Sequence, residues 1–134
     1  MAEFANPLCM RRLMQSVQAL ALPADVQLSL FPDLVRKADE LALDFGFFWD
    51  CVKGNDVERL TAEQTRILDE INSQLDSMSG AQDAELWTDE ALLENPLWGR
   101  TRVLAKAALV AFNWPREVPP NENVYTPGKR TYRS

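Results

Sequence analysis

The chain has 134 residues, 46% of them apolar, with a formal net charge of −6 and no histidine. That length and apolar share fit one domain with a real core and exclude a wholly disordered chain. The absent histidine removes Ser-His-Asp and Cys-His catalysis, zinc sites of the usual His kind and the Glu-x-x-His di-iron bundle.

The N-terminus comes first. No basic stretch followed by an apolar run is present, so no signal peptide is expected. No window approaches the ~18–20 apolar residues of a membrane span. A soluble, cytoplasmic protein of bacterial style is therefore the expectation. Glu3-Phe4 is the dipeptide that a common restriction cloning site encodes. Residues 1–5 are accordingly expected to be disordered or cloning-derived, 6–114 a helical bundle and 115–134 a Pro-rich extended tail.

Asn6-Pro7 predicts a helix start, with an N-cap side chain before proline at the first helical position. Met10, Leu13, Met14, Val17 and Ala21 then mark one apolar face, ending near Ala21. Pro23-Ala24-Asp25 opens a short helix, and Pro32 ends it. Val35, Ala38, Ala42, Phe45, Trp49 and Val52 predict the buried stripe of a helix over 33–53, closed by Gly54-Asn55. Gly46 inside that helix suggests close approach of a neighbouring helix.

Thr61-Ala62-Glu63-Gln64 is a capping box. Leu68, Ile71, Leu75 and Met78 follow on one face, and Gly80 stops the helix. Residues 79–85 read as a polar loop. Thr88 caps a short helix, and Asn95-Pro96 restarts the chain as a longer one. Its expected stripe is Leu97, Thr101, Leu104, Ala105, Ala108 and Phe112, with Asn113 as a left-handed C-cap. Residues 115–134 carry Pro115, Pro119, Pro120 and Pro127 and show no useful alternation, so no strand is expected. The fold class is an all-α, single-domain bundle of about five helices with an extended C-terminal tail.

Cys9 and Cys51 have no Cys-x-x-Cys partner. In a reducing compartment two small buried thiols are expected, with a disulfide or a reactive thiol as the alternatives. Five glycines are scattered at 46, 54, 80, 99 and 128, so no phosphate loop exists. Glu40 with Asp44 and Glu90 with Glu94 are i,i+4 pairs, not the paired motifs of all-helical magnesium pyrophosphatases. They read as solvated faces. The expectation is no enzyme, no metal and no cofactor. Tyr125 and Tyr132 with Lys129, Arg130 and Arg133 interleave rings and charges, too few to argue a nucleic-acid arm.

Charge is the feature that points to function. Residues 33–94 hold 16 acidic and 5 basic side chains, a net of −11, whereas 1–32 are neutral and 95–134 net +5. Such a field repels nucleic acid and anionic membrane and steers basic proteins in. On a helical wheel, Leu43, Phe47 and Cys51 fall opposite the core stripe, among Glu40, Asp44 and Asp50. Two readings follow. The helix is central and sandwiched, or Leu43 and Phe47 form an exposed anchor ringed by carboxylates. The second acidic surface is Glu63, Asp69, Glu70 and Asp76.

The acidic, aromatic run Asp39-Glu40-Leu41-Ala42-Leu43-Asp44-Phe45-Gly46-Phe47-Phe48-Trp49-Asp50 and the acidic helix 63–76 carry a resemblance. In size, charge and helicity, residues 6–114 resemble the helical immunity proteins that neutralise bacterial toxins, above all nuclease toxins with cationic clefts. The resemblance implies a cognate toxin bound tightly in a 1:1 complex. No motif is matched, so no functional residue is carried over from that family. An adaptor subunit with a merely solubilising acidic surface is the alternative. The partner expected is a basic protein, with no nucleic acid and no membrane.

Overall fold

The computed structural model describes residues 4–33, 35–79, 81–120, 123–126 and 129–132; of 81–83, 123–126 and 129–132 it describes the backbone. The chain forms α1 (Pro7–Ala21), α2 (Ala24–Ser29), α3 (Lys37–Asn55), α4 (Ala62–Ser77), α5 (Asp89–Glu94) and α6 (Pro96–Phe112). Short 3-10 turns at Val57–Arg59 and Ala81–Trp87 join them. The fold is all-α, as the hydrophobic periodicity predicts. The cloning-derived reading of residues 1–3, the Gly80 stop, Pro127 and Arg133 lie outside the described residues.

Four of the six helices, α1, α4, α5 and α6, start at a side-chain cap. The Cys9 amide donates to Asn6 Oδ1 at 3.1 Å, and the Leu97 amide donates to Asn95 Oδ1 at 2.9 Å. At Thr61 both arms of the capping box are made, at 2.9 and 3.0 Å. Asn113 ends α6 in the left-handed region, φ 56°.

Packing pairs the helices. α1 lies against both α3 and α6, and α4 lies against α6. The core joins Leu13, Val17 and Leu20 of α1, Phe45, Trp49 and Val52 of α3, Leu68, Ile71 and Leu75 of α4, and Trp98, Ala105 and Leu109 of α6. Side chains also clamp α4 to α6. Gln64 Nε2 donates to the Ala111 carbonyl at 3.1 Å and Gln74 Nε2 to the Leu97 carbonyl at 3.3 Å. A polar knot ties α6 to the first half of the chain. Arg102 Nε donates to Gln27 Oε1 at 3.0 Å, and Gln27 Nε2 donates to the carbonyls of Ala19 and Leu20. Arg102 also donates to the Leu92 carbonyl. Burial pushes the Arg102 pKa down from its ordinary value.

Several expectations are corrected. The helix expected from 33 begins at Lys37, and Val35 lies outside it, half-buried. Its core stripe is shifted from the one expected: Leu41 and Phe48 are buried, with Arg12 of α1 over the Phe48 ring, while Ala42 is half-buried because it lines an open groove beside α4. On α6, Trp98 is buried and Leu97 exposed, reversing the expectation for Leu97; Leu104 and Phe112 are half-buried. The polar loop at 79–85 includes part of the 3-10 segment Ala81–Trp87. Within the tail, Asn123–Thr126 and Lys129–Tyr132 pair antiparallel, Thr126 opposite Lys129. β-Favouring Val, Tyr and Thr flank the Pro127-Gly128 dipeptide, but each run is too short to show an alternating pattern.

The two cysteines are not free thiols. Cys9 of α1 is bonded to Cys51 of α3. The same end of the bundle is held by Asp56, a fully buried carboxylate. It accepts from the backbone amides of Ala5 and Asn6 and from Arg59 Nη1 at 3.2 Å.

Candidate functional site

α3 takes α1 as its main neighbour and α4 takes α6, so α3 and α4 touch only lightly. Between them runs an open groove of about 540 Å³. Asp39, Ala42, Leu43, Gly46, Phe47 and Asp50 line one wall. Asn72, Leu75 and Asp76 of α4 line the other, and Trp87 belongs to the same lining. Three of these side chains are acidic and none is basic.

The two open readings of α3 separate here. Leu43 is 57% exposed and Phe47 53% exposed, whereas Phe45 is fully buried. The helix is not apolar all round because it is sandwiched; one apolar stripe faces the groove and solvent. Phe47 is steadied by an edge-on contact with Phe48, ring centroids 5.0 Å apart. Cys51, which the helical wheel put on the same stripe, is occupied by its bond to Cys9.

The carboxylates named from the sequence do not gather in one place. Asp50 and Asp76 line the groove with Leu43 and Phe47. Glu40 and Asp44 are half-buried and engaged within the fold, and they are not among the groove residues. Glu63 and Glu70 are both ion-paired to the one Arg66, which offsets part of the acidic charge of that stretch of α4. The Arg66 hydrogen bond holds the Glu63 carboxyl below its ordinary pKa. Asp69 and Glu70 instead line a second groove, with Arg66, Arg100 and Leu104, on the α6 side of α4. The structure thus joins Asp76 to the α3 anchor and sets Asp69 and Glu70 apart from it.

Asp39, Gly46, Asn72 and Trp87 are groove residues that sequence reasoning did not place there. Asp39 was recoverable: it stands one helical turn before Leu43, with Gly46 and Asp50 at the following turns. Burial raises the Asp39 pKa, and Arg36, 4.0 Å away, opposes that shift. Lys53 lies 3.3 Å from Asp50. Asn72 Nδ2 donates to Asp76 at 3.3 Å. Trp87 is half-buried and fixed, its Nε1 donating to the Met78 carbonyl at 2.9 Å and its ring edge-on to Trp98. This arrangement offers apolar contact and negative charge together. Among the described residues no group of His, Cys, Asp and Glu is arranged to hold a metal ion, and no helix is long and apolar enough to cross a membrane.

Comparison with family models, with curated proteins and with solved structures finds no match to this chain.

Proposed function

We propose that this chain is an acidic protein-binding domain that neutralises a basic partner, in the manner of an immunity protein blocking a toxin. It acts by occlusion and carries out no catalysis. The observation that supports this reading is the exposed Leu43–Phe47 pair inside a groove whose charged lining residues are all aspartates. Apolar anchors supply affinity once desolvated, and surrounding charge supplies approach and selectivity. The same charge disfavours nucleic acid and anionic membrane as partners. The Cys9–Cys51 bond weighs against the cytoplasm expected from the sequence and supports an encounter in an oxidising compartment.

The test is capture of partners on immobilised protein from native extract, at low and high salt, with wild type and Phe47→Ala in parallel. A single basic partner lost on Phe47→Ala, and captured faster at low salt, supports the reading. Its gene product co-expressed in a sensitive host should kill unless this chain is present. A partner that binds Phe47→Ala as well as wild type overturns it.

An adaptor role has its own supporting observation. Val103 and Val110 lie on the outer face of α6 at 63% and 80% exposure, two turns apart. A partner captured equally by Phe47→Ala but lost on Val103→Lys with Val110→Lys would favour that role.

A further inference from the structure

Gly46 stands mid-way along α3, a 19-residue helix. Glycine is the poorest helix former after proline, so its place there needs a reason. Close helix packing is not that reason: a Cβ built at Gly46 meets no atom within 4 Å. Backbone geometry is not the reason either, because Gly46 does not lie in the left-handed region. What the missing side chain leaves open is part of the α3 wall of the groove, among Leu43, Phe47 and Asp50 and across from Asn72 and Asp76.

The groove has a direction. Asp39 and Asp50 are eleven residues apart on α3, about 16 Å along the helix axis. Gly46 lies between them, beside the exposed Leu43 and Phe47. An occupant touching both aspartates must be extended or helical and run lengthwise. A lone cation could meet only one of them. The apolar walls favour an occupant with aliphatic or aromatic side chains between its charges.

We infer that the groove seats a basic polypeptide segment lying along α3, with lysine or arginine side chains at Asp39, Asp50 and Asp76 and its closest backbone approach at Gly46. This rests on the proposed binding function and specifies the ligand class and register of that site. Glycine here works as it does wherever another backbone must come near. The fixed indole of Trp87 bounds the seat.

The test uses the full chain with its disulfide intact and three probes: an octapeptide alternating lysine with leucine and phenylalanine, its glutamate analogue, and spermine. Backbone amide NMR follows the binding. The lysine peptide should give saturable shifts centred on Leu43, Gly46, Phe47 and Asp76, weakened by added salt. The glutamate analogue should give none, and spermine should bind at least about tenfold more weakly because it lacks apolar groups. Gly46→Leu should weaken the peptide about tenfold or more while leaving the melting temperature unchanged or raised. If Gly46→Leu disturbs the fold, Asp76→Lys serves instead and should weaken the peptide to the same degree.

Peptide shifts scattered over the surface, equal binding of spermine, or full binding by Gly46→Leu or Asp76→Lys would overturn the inference. So would a dimer that Gly46→Leu dissociates, since the occupant would then be a second copy. The two levels separate cleanly. If Phe47→Ala loses the natural partner but Gly46→Leu keeps it, the binding function stands and the seat falls. If Phe47→Ala keeps the partner, the function itself falls.

Discussion

Cys9, in the first turn of α1, is covalently joined to Cys51 near the end of α3, across a sequence separation of 42. The bond fastens the bundle's two most closely packed helices at one end and leaves the α3–α4 groove on another flank of α3. A loop of that length loses entropy in the unfolded chain when closed, worth about 3–4 kcal/mol in the loop-entropy description. Cys51→Ser should therefore lower unfolding free energy by about 2–4 kcal/mol in chemical denaturation. Protein isolated under alkylating, non-reducing conditions should incorporate no label at either cysteine. Labelling of both residues in freshly isolated wild type would contradict the pairing.

Asp56 should matter to the same end of the fold. Its buried carboxylate gathers the Ala5 and Asn6 amides and Arg59. Hydrogen bonds to a charged group are worth about 1.5–3 kcal/mol each, and Asp56→Ala also leaves amides with no acceptor. A loss of about 2–4 kcal/mol is expected. Amide exchange should show the effect concentrated at the start of α1 and the end of α3.

Phe45 and Phe47 should respond in opposite ways although they are two residues apart. Phe45 is fully buried, so Phe45→Ala should cost about 3–5 kcal/mol. Phe47 is more than half exposed and its edge contact with Phe48 is worth about 0.5–1.5 kcal/mol, so Phe47→Ala should cost about 1 kcal/mol, well below Phe45→Ala. Equilibrium denaturation of the two variants decides whether the exposed stripe has been assigned to the correct face.

Gly46→Ala should stabilise the chain. The new methyl meets open space, and alanine gains up to about 1 kcal/mol over glycine in a helix interior. Thermal melting would show a rise. A fall would mean that α3 is packed more closely at this point than the structure shows.

Asp39 and Glu63 should give opposite pH signatures. Glu63 has its pKa lowered, chiefly by the Arg66 hydrogen bond. Its stabilising contribution is present above the ordinary carboxylate range and is lost as pH falls through the folded value. Asp39 has its pKa raised, chiefly by burial. Its ionised form carries a penalty that is relieved as pH falls through that raised value. At neutral pH, Asp39→Asn should raise the melting temperature and Glu63→Gln should lower it. Both differences should vanish in acid, once the wild-type carboxylates are protonated.

Local signals in the chain determined where four of the six helices begin, whereas α3, which has no side-chain cap, starts four residues later than its sequence suggested. Asn6-Pro7, Thr61 with Gln64, Thr88 and Asn95-Pro96 cap helices through bonds made within a few residues, so no tertiary context was needed to read them. The burial of Phe45, Trp49, Leu68 and Ile71 followed from 3.6-residue periodicity for the same reason. Tertiary structure alone decided which neighbour each face meets. α3 packs mainly on α1 and meets α4 only lightly; Leu41 and Phe48 are buried, Leu43 and Phe47 stay in the open, and Asp76, 29 residues after Phe47 in the chain, lines the same groove. Packing also brought Cys9 within bonding reach of Cys51 and Arg102 onto Gln27. These are relationships between residues distant in the chain, and no local propensity encodes the distance between two helices. Net charge could announce an acidic surface, but only packing could separate Glu63 and Glu70, which share Arg66, from Asp39, Asp50 and Asp76, which line an open groove.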